Sequence, residues 1–600
     1  MIGTRRLTAL AAAVAAVGGG ASRLHAQATT GSIGGRVTGP GGQPLDGVQV
    51  QVTNTATGRS SGAITRGDGR FVVLGLEPGS GYRVTARRIG FAPRVVPNLT
   101  VTLGGTTPVQ LALESQAVQL QEVAVTAAAT GNGLIAPTRT GTATTITDTL
   151  IRKLPTLNRN FTDFVQLTPQ VSSSGPGLSG GGVNNRYNNV QIDGANARDI
   201  FGLGSTGQPG GQANGKSIGI ESVKEYQVQL APFDVRIGNF AGVSINAITR
   251  SGTNTFTGSA YAFTRDQRLQ RDQPYLADFR QTQYGFSLGG PILRNRAFFF
   301  VNPEFQARRT PSGGFFLGAA GSRVTQPQLD RFTQLLTAAG LRDLGSAGLV
   351  QNQNPLDNVF ARLDVALPYN TTLVLRNNII NADQDIFSRG TVGATPGFGL
   401  SSNAYRFISR TQQPVAQLRT NFGNGAFNEL IVAYQRTRDK RATPGVLQPQ
   451  VQATVPQVAN LVAGTDAPSQ ANQLDQDVFE LTENFTFPVG SAHRVTVGTQ
   501  NQFYRFRNLF GNAAVGNWQF ANLDSLANGS PQQYTIGVPI VGDGAVRIRA
   551  ASYSGYLQDE WTATDRLTIT AGVRFDVPRF SSRPPQNPAT DLVTGLGINT

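Results

Sequence analysis

The stretch from Ala241 to Asn254 reads AGVSINAITRSGTN, a compact Gly-containing segment that runs straight into strand-like sequence. Because the residues before and after it differ in pattern, we interpret it as a junction between two units. We expect Gly242 to permit close packing and Asn246 to bond buried backbone groups. The turn that joins the two units is predicted at Arg250, Ser251 and Gly252.

The composition favours β structure and excludes several kinds of chemistry. Of the 600 residues, 71 are Gly and only 14% are charged, which argues against a helical chain. The chain has no Cys, so disulfides and thiolate sites are excluded. Of two His, His25 lies in a segment that we expect to be removed, and His493 lacks the neighbours of a zinc cluster or a Ser-His-Asp triad. We interpret His493 as a turn residue, and we predict no catalytic residue, no metal site, no cofactor and no enzymatic activity.

The net charge of +15 raises the question of nucleic-acid binding, which depends on clustered Lys and Arg. The 51 basic residues are instead spread along the chain without a basic run. We therefore predict no nucleic-acid partner. Codon bias toward Arg is our preferred explanation of the charge, and a positive lumen or surface that favours anionic ligands is the alternative.

The N-terminus has the pattern of an export signal. Arg5 and Arg6 precede the short apolar run from Leu7 to Val17, and an Ala-x-Ala-like end follows. We predict a signal peptide over residues 1–26, with cleavage after Ala28 as the alternative. Since no later run reaches about 18 consecutive apolar residues, a membrane-spanning mature protein would need a closed β-barrel.

Alternating apolar and polar residues predict strands in the second half of the chain. The clearest run places an apolar face at Leu567, Ile569, Ala571, Val573 and Phe575. Such a run fits a barrel whose apolar face meets lipid, and equally a soluble sandwich whose apolar face points inward. The export signal, the run of three Phe from Phe298 to Phe300 and the long polar connections favour the barrel.

Residues 28–113 form the first predicted unit, in which strand-like segments alternate with Pro and Gly turns. This unit resembles the carboxypeptidase regulatory-like domain through Gly35, Val37, Gly47, Val48, Asp68, Gly69, Phe71, Gly79, Tyr82 and Val84. The resemblance implies a β-sandwich of about seven strands, and carbohydrate binding only as a less favoured role, since fold does not confer function. A peptidase is excluded, because a zinc carboxypeptidase needs a His/Glu/His ligand set.

Residues 114–138 form a predicted linker that contains QEVAVTAAA, from Gln121 to Ala129. The Glu-Val-x-Val-Thr pattern resembles the TonB box of outer-membrane receptors, although such a short pattern also fits an ordinary strand end. An extended segment of this kind can pair its backbone with the edge strand of a partner. The resemblance implies that TonB binds at Glu122, Val123, Ala124, Val125 and Thr126.

Residues 139–250 resemble the plug of TonB-dependent outer-membrane receptors. The resemblance rests on LPTLNRNFTDFVQLTPQV (154–171), VQIDGAN (190–196) and SVKEYQVQ (222–229), which occur in this order before the junction. It implies a small α/β domain with a plug motif, a strand and turn formed by Ile192, Asp193 and Gly194. The loop from Gly202 to Gly215 is too rich in Gly to pack on its own, so we expect it to be mobile.

Residues 251–600 resemble the barrel of the Oar-like subgroup of these receptors. The motifs are GSAYAF, LGGPILRNRAFFFVNPEF, NVFARLDVAL and SYSGYLQDEWTATDRLTITAGVRFD. Tyr556 and Trp561 are predicted to belong to an aromatic girdle. Such barrels have about 22 strands, and the residues after the junction suffice for about half to two thirds of them. We therefore predict the N-terminal part of a longer protein, with the first part of a barrel.

The predicted fold class is mainly β: an N-terminal β-sandwich, a small α/β plug and part of a transmembrane antiparallel β-barrel. The implied protein lies in the bacterial outer membrane, binds an external ligand and imports it through the plugged barrel with energy coupled by TonB. Its implied partners are TonB, outer-membrane lipid and an unidentified small ligand, glycan or peptide. The alternative is an outer-membrane-anchored adhesion or glycan-binding surface protein, in which the sandwich binds and the barrel anchors.

Overall fold

The structure is a computed structural model of the chain. It describes residues 29–115 and 143–581, apart from residues 155, 157, 173–177, 205, 231–233, 270–277, 540–541 and 565–566. The predicted signal peptide and the predicted TonB-binding residues Glu122 to Thr126 lie outside the described residues.

The first unit is a β-sandwich. Its strands are β1 (Gly31–Thr38), β2 (Gln49–Asn54), β3 (Ser60–Ile64), β4 (Arg70–Leu76), β5 (Gly79–Arg87), β6 (Arg94–Val101) and β7 (Thr106–Ala112). They form two sheets, in the orders β4-β1-β7 and β3-β2-β5-β6. Alternate residues such as Val50, Val52, Val84 and Ala86 point between the sheets and form a common core with Ile33.

The second unit is a small α/β domain around a five-stranded sheet. Its elements are β8 (Ala143–Thr147), α1 (Asp148–Lys153), α2 (Thr162–Val165), β9 (Val171–Ser172), β10 (Ser179–Gly180), β11 (Asn189–Ile192), β12 (Ala195–Asn196), β13 (Val223–Gln229) and β14 (Ser244–Thr249). The sheet order is β12-β11-β14-β13-β8, which leaves β8 at one edge, paired with β13. In the hydrophobic core of this unit, every member except Phe300 and Phe360 comes from the unit itself.

The rest of the described chain is dominated by one large antiparallel sheet. Its strands and those of its connections are β15 (Thr257–Asp266), β16 (Arg280–Leu293), β17 (Ala297–Pro311), β18 (Gln351–Gln353), β19 (Leu356–Leu367), β20 (Thr371–Ile386), β21 (Gly397–Gly399), β22 (Tyr405–Gln412), β23 (Val415–Phe422), β24 (Ala426–Ala442), β25 (Gln450–Val455), β26 (Ala459–Ala463), β27 (Asn472–Val489), β28 (His493–Phe510), β29 (Asn517–Phe520), β30 (Gln533–Thr535), β31 (Ala545–Thr564) and β32 (Leu567–Phe580). The helices α3 (Gln326–Ala338) and α4 (Leu523–Ala527) lie in the connections. No helix among the described residues is long and apolar enough to span a membrane.

The large sheet runs from β15 to β32 through sequence neighbours, and β18 pairs at the margin with β17. β22 and β23 both lie between β20 and β24, and they are separated at Gln413 and Pro414. Because Pro has no N–H to donate, the ladder breaks there and the two segments act as one interrupted strand. The described sheet thus contains eleven strand positions from β15 to β32, with β22 and β23 together in one of them.

The two faces of the large sheet differ in polarity. The inner face surrounds the plug and is polar: Glu304 of β17, Gln435 of β24, Glu480 of β27 and Gln558 of β31 are buried there against the α/β domain. The outer face exposes apolar side chains, among them Tyr284, Phe286, Phe479, Leu481, Leu557, Ile569, Val573 and Phe575. These residues therefore point away from the interior, whereas Phe300 and Phe360 of the same sheet point inward and pack on the plug.

The connections at the two ends of the strands differ in length. Turns of three residues join neighbouring strands at one end, at 294–296, 368–370, 423–425 and 490–492. At the other end the connections 312–350, 387–404, 443–471 and 511–544 are long. The long connections share a five-stranded sheet in the order β21-β26-β25-β29-β30, packed with α3 and α4 around one hydrophobic core. We call this group of elements the outer module.

The sandwich lies at the short-turn end. The Asn421 side chain at the end of β23 donates to the Leu74 carbonyl at 2.6 Å, and the Thr29 hydroxyl donates to Glu429 of β24. Arg66 donates to the Ser491 carbonyl in the turn between β27 and β28. The sandwich and the outer module therefore occupy opposite ends of the large sheet.

Candidate functional site

The predicted plug motif forms a tight hairpin turn after β11. Asp193 and Gly194 have φ angles of 45° and 78°, as a type I′ turn between β11 and β12 requires. The Asn246 side chain on β14 accepts a hydrogen bond from the Gly194 N–H at 3.2 Å. The turn leaves the Asp193 carboxylate inside the molecule, where it accepts hydrogen bonds from the Thr249 N–H at 2.8 Å and the Thr249 hydroxyl at 2.7 Å.

Two arginines of the large sheet face this carboxylate. Arg376 Nε lies 3.1 Å from Asp193 Oδ2, and the same guanidinium donates to the Ile192 carbonyl. Arg362 Nη1 lies 3.9 Å from Asp193 Oδ2 and 2.8 Å from Thr249 Oγ1. These side chains are buried, so salt and water screen their attraction only weakly. A charge-assisted contact thus fastens the plug motif to the large sheet.

The sandwich reaches the same place from the short-turn end. Glu77, between β4 and β5, lies 3.5 Å from Arg362 Nη2 and 3.7 Å from Arg419 Nη1. Asp364 also holds Arg362, at 2.6 Å. We call this cluster the ionic node: Glu77, Asp193, Arg362, Asp364, Arg376 and Arg419. Its three arginines match three carboxylates, and all three structural units contribute to it.

The node determines the charge state of Glu77. Burial by itself would raise the pKa of this carboxyl, but the positive charges of Arg419 and Arg362 outweigh burial and lower the pKa to about 2. On the adjoining plug strand β13, burial raises the pKa of Glu225 to about 7, although Lys224 opposes the rise. The contact between sandwich and plug therefore contains one carboxyl that is ionised at neutral pH and one that titrates near it.

A second ionic contact joins plug and sheet. Lys216 Nζ lies 3.0 Å from Glu304 Oε1 on β17, and both side chains are almost completely buried. The Tyr261 hydroxyl of β15 donates to the other oxygen of Glu304 at 2.7 Å. Burial lowers the pKa of Lys216, and the Glu304 carboxylate opposes this shift. Glu304 thus has bonded partners on both of its oxygens, as a buried carboxylate requires.

The predicted junction passes very close to the sheet. A Cβ at Gly252 would lie 2.3 Å from the carbonyl oxygen of Phe299, so a larger residue would push the chain off β17. Arg250 pairs with Asp148 of α1 at 2.6 Å and donates to a backbone carbonyl of β13 at 3.1 Å. Ser251 lies between these two residues and faces a cavity. The junction is thus held on one side by the plug and on the other by the sheet.

Gly242 makes a similar close approach within the plug. A Cβ there would lie 2.3 Å from the side-chain oxygen of Asn188. That oxygen accepts a hydrogen bond from the Val243 N–H at 3.1 Å, so the space is already used by a buried polar contact.

A cavity of about 1040 Å³ lies between the plug and the inner face of β15 and β16. Arg159 forms part of its wall: the guanidinium lies 4.5 Å and 4.6 Å from the ring centroids of Tyr261 and Phe263, and it pairs with Glu221 at 2.8 Å. Cations outnumber carboxylates in the lining, which includes Arg152, Lys153, Arg159, Lys224, Arg250 and Arg265 against Asp148 and Glu221. The cavity is therefore electropositive.

Tyr556 does not belong to an aromatic girdle: it faces the plug, is 5% exposed and donates to Asn484 at 2.7 Å, so this prediction is wrong. Trp561 does lie on the outer face, 41% exposed. The loop from Gly202 to Gly215 packs against the sheet, and its buried Gln208 side chain accepts a hydrogen bond from the Ser217 N–H. The glycines of this loop allow its backbone to approach the sheet closely because they carry no side chain.

The site residues missed by sequence reasoning are those contributed by strands far along the chain. Arg362, Arg376 and Arg419 occupy inward positions of β19, β20 and β23, which only the register of the sheet reveals. Among the residues that the structure describes, no three His, Asp or Glu side chains are arranged to hold a metal ion.

Comparison with known proteins gives two family matches. Residues 32–114 match the carboxypeptidase regulatory-like domain, and residues 248–319 and 320–591 match the outer membrane beta barrel domain. The TonB-dependent transporter Oar of Myxococcus xanthus is 26% identical over 306 residues, which cover 47% of this chain and 27% of that protein. The chain therefore spans about a quarter of the length of this relative.

The fold also resembles solved structures. The outer membrane transporter YddB from Escherichia coli aligns with a TM-score of 0.52 and 15% identity, over 73% of this chain and 58% of that one. The ferripyoverdine receptor of the outer membrane of Pseudomonas aeruginosa aligns with a TM-score of 0.48 and 13% identity, over 82% of this chain and 61% of that one.

A polar-lined barrel wall that surrounds a folded plug and exposes an apolar outer face defines a plugged outer-membrane barrel. The chain belongs to the outer membrane beta barrel family, whose model matches more than half of its residues. It is therefore a protein of the bacterial outer membrane, it carries a carboxypeptidase regulatory-like domain, and it is similar in sequence to a TonB-dependent transporter.

Proposed function

We propose that this receptor binds an external ligand and imports it past the plug, with energy that TonB delivers by pulling on Glu122 to Thr126. The observation that carries the proposal is the difference between the plug's core and its surface. The core is almost entirely the plug's own, with only Phe300 and Phe360 added by the barrel. The surface meets the barrel through many hydrogen bonds and ion pairs, which water can replace when the plug moves. The apolar contacts that it shares with the barrel centre on two small residues, Ala195 and Ala213. Such a plug can shift while its own core stays intact.

The place of the TonB segment along the chain supports a mechanical role. Residues 122–126 precede β8, which is the edge strand of the plug sheet. β8 pairs with β13 over five residues, from Ala143 opposite Gln229 to Thr147 opposite Glu225. Force applied N-terminal to β8 loads this short pair before any other part of the plug. We therefore expect the plug to open by loss of β8, while the sheet of β11, β13 and β14 stays paired.

The electropositive cavity supports an anionic ligand. It lies along the inner face of β15 and β16, beside α1 of the plug, so a shift of the plug edge would widen it. A basic lining concentrates anions in a confined, partly dehydrated space.

The position of the sandwich disfavours the adhesion alternative. Short turns of outer-membrane barrels face the periplasm and long loops face outward. The sandwich docks at the short-turn end, through Leu74 and Thr29 among others. A module on that side cannot reach external glycans, so a role in the periplasm, next to the TonB segment, fits it better.

Binding of the TonB periplasmic domain to the purified full-length receptor tests the proposal. Pairing of the segment with an edge strand needs backbone N–H groups, which Pro lacks. We expect Val123→Pro/Val125→Pro to weaken TonB binding by at least about tenfold, which is roughly 1.4 kcal/mol. The matched variant Val123→Thr/Val125→Thr keeps the N–H groups and should bind normally. Unchanged binding by the proline variant would contradict the assignment of the TonB segment.

A further inference from the structure

Cations crowd one part of the barrel's outer face. On β24, β27, β28, β31 and β32, residues of one parity point outward, and near the long connections most of these are basic. We call this surface the basic belt: Arg436, Arg438, Lys440, Arg505, Arg507, Arg547, Arg549 and Arg579. The carboxylates beside it are Asp475, Asp477 and Asp543. Eight cations thus face three carboxylates.

We propose that the basic belt binds the phosphate groups of glycolipids in the outer leaflet of the outer membrane. Arg438, Arg507 and Arg547 pair with the three carboxylates. The remaining five cations form no ion pair within the described part of the chain: Arg436, Lys440, Arg505, Arg549 and Arg579. These five cations are exposed and available to an external anion.

The register of the strands places like charges opposite each other. Arg505 of β28 lies directly opposite Arg549 of β31, and Arg507 lies opposite Arg547. Like charges in such positions repel, because directly opposed side chains are only about 5 Å apart at Cβ. Asp543 offsets the second pair, since it contacts both arginines. In the first pair, Arg505 has Asp477 opposite it on β27, but Arg438 and Tyr434 already bond that carboxylate. An anion bound from outside would therefore reduce the repulsion that remains between Arg505 and Arg549.

Aromatic side chains locate the belt relative to the bilayer. Tyr434, Phe479, Phe503 and Tyr553 are exposed on the same outer face, with ring centroids 6.1 Å apart for the middle pair and 5.8 Å for the last. Such exposed aromatic rows mark the boundary between the hydrocarbon core and the headgroups. Arg436 and Arg505 follow Tyr434 and Phe503 by two residues, one step further toward the long connections. The belt therefore lies at headgroup level on the external side.

The opposite end of the same strands lacks this excess. There the outward-facing ionisable residues of β27 and β31 are the carboxylates Glu483 and Asp559, and His493 lies 2.6 Å from Asp559. The pair of Arg494 and Glu560 has the opposite parity and points inward. The excess of cations belongs to the leaflet whose glycolipids carry phosphate, and guanidinium groups suit phosphate because they can donate two parallel hydrogen bonds.

Native mass spectrometry of the full-length receptor in detergent tests the proposal, with bisphosphorylated lipid A and dephosphorylated lipid A as paired probes. We expect the wild type to retain the bisphosphorylated form at least about tenfold more tightly. Arg505→Gln/Arg549→Gln should lose most of this preference, and Arg436→Gln/Lys440→Gln on β24 should do so independently. Arg294→Gln/Arg296→Gln removes the same charge from the turn between β16 and β17 and should leave the preference unchanged.

Several results would overturn the proposal. One is equal retention of the two lipids by the wild type, and another is an unchanged preference in both belt variants. Complete displacement of lipid A by inorganic phosphate would assign the belt to free phosphate instead. A changed oligomeric state with unchanged lipid retention would assign it to a protein contact. Thermal unfolding of each variant identifies any that is misfolded, and the other belt variant then decides.

Discussion

Asp193 illustrates how one residue can serve two purposes. As the first residue of an Asp-Gly turn it reverses the chain between β11 and β12. As a buried carboxylate it needs compensation, and it obtains it from Thr249 and from Arg376 and Arg362. A turn that needed only a positive φ could use Asn, so the charge is what the barrel contact requires.

Asp193→Asn tests that requirement, because the amide keeps the size of the side chain and removes its charge. Arg362 and Arg376 would then lie buried with too few carboxylates, so we expect the plug to lose about 3–5 kcal/mol of stability within the barrel. The measurement is the urea dependence of plug proteolysis in the full-length protein. Asp330→Asn on the exposed face of α3 is the matched control. Equal urea dependence of D193N and wild type would show that the node does not hold the plug.

The outer module is the part of the fold that sequence reasoning described least well. Segments within it read as long polar insertions, yet they contain helix α3 and strands β25 and β26. The module is assembled by parallel pairing of β21 with β26 and of β25 with β29, which come from different connections. Such pairings join residues far apart along the chain, and no local sequence pattern predicts them. Its shared core means that the connections should unfold together.

Phe332→Ala tests this cooperativity. Phe332 of α3 is fully buried in the module core, so the substitution should cost about 3–5 kcal/mol through lost packing and a cavity. We expect faster proteolysis in the four connections 312–350, 387–404, 443–471 and 511–544 at once, with barrel unfolding unchanged. Leu349→Ala, at a residue 42% exposed, should have little effect. Cleavage confined to the connection that contains α3 would indicate independent loops.

The sandwich and the plug are both held to the barrel by the same arginine. Arg362 lies within 4 Å of both Glu77 of the sandwich and Asp193 of the plug. Undocking of the sandwich would therefore leave Arg362 with less opposing charge and change its attraction to the plug. Through this coupling, docking of the sandwich at the short-turn end would affect how firmly the plug is held in the barrel.

The pKa of Glu77 sets a pH window for this docking. Since the docked pKa is lowered to about 2, docking is stabilised above the ordinary value near 4.5 and loses that stability as pH falls through 2. The contribution is at most about 3 kcal/mol. Spin labels on Ala56→Cys and Gly423→Cys, in a chain without natural Cys, would measure the separation of sandwich and barrel.

We expect the two labels to separate between pH 4.5 and 2 in the wild type. Glu77→Gln should weaken docking already at pH 7, whereas Glu114→Gln, at an exposed end of the sandwich, should behave as wild type. A separation in E77Q that equals that of the wild type at every pH would remove Glu77 from the docking contact.

Much of the fold follows from local sequence. The fold class is confirmed, and the Asp-Gly turn and the strand from Leu567 occur where their patterns predict them. The partners in the site do not follow in this way. Glu77, Arg362 and Arg419 come from distant segments, and each reads by itself as an ordinary charged residue in a strand or turn. Nothing in the local sequence connects the predicted turn residue Asp193 with them.

The sequence by itself determined that Leu567, Ile569, Val573 and Phe575 share one face of a strand, because side chains alternate with a period of two. It could not determine whether that face points into a soluble core or toward lipid. The tertiary structure decided this question, since the large sheet wraps a polar face around the plug and leaves those residues exposed on its outer side. The physical reason is that alternation separates two faces, whereas only the folded neighbours of the sheet supply a polar or an apolar surrounding for each.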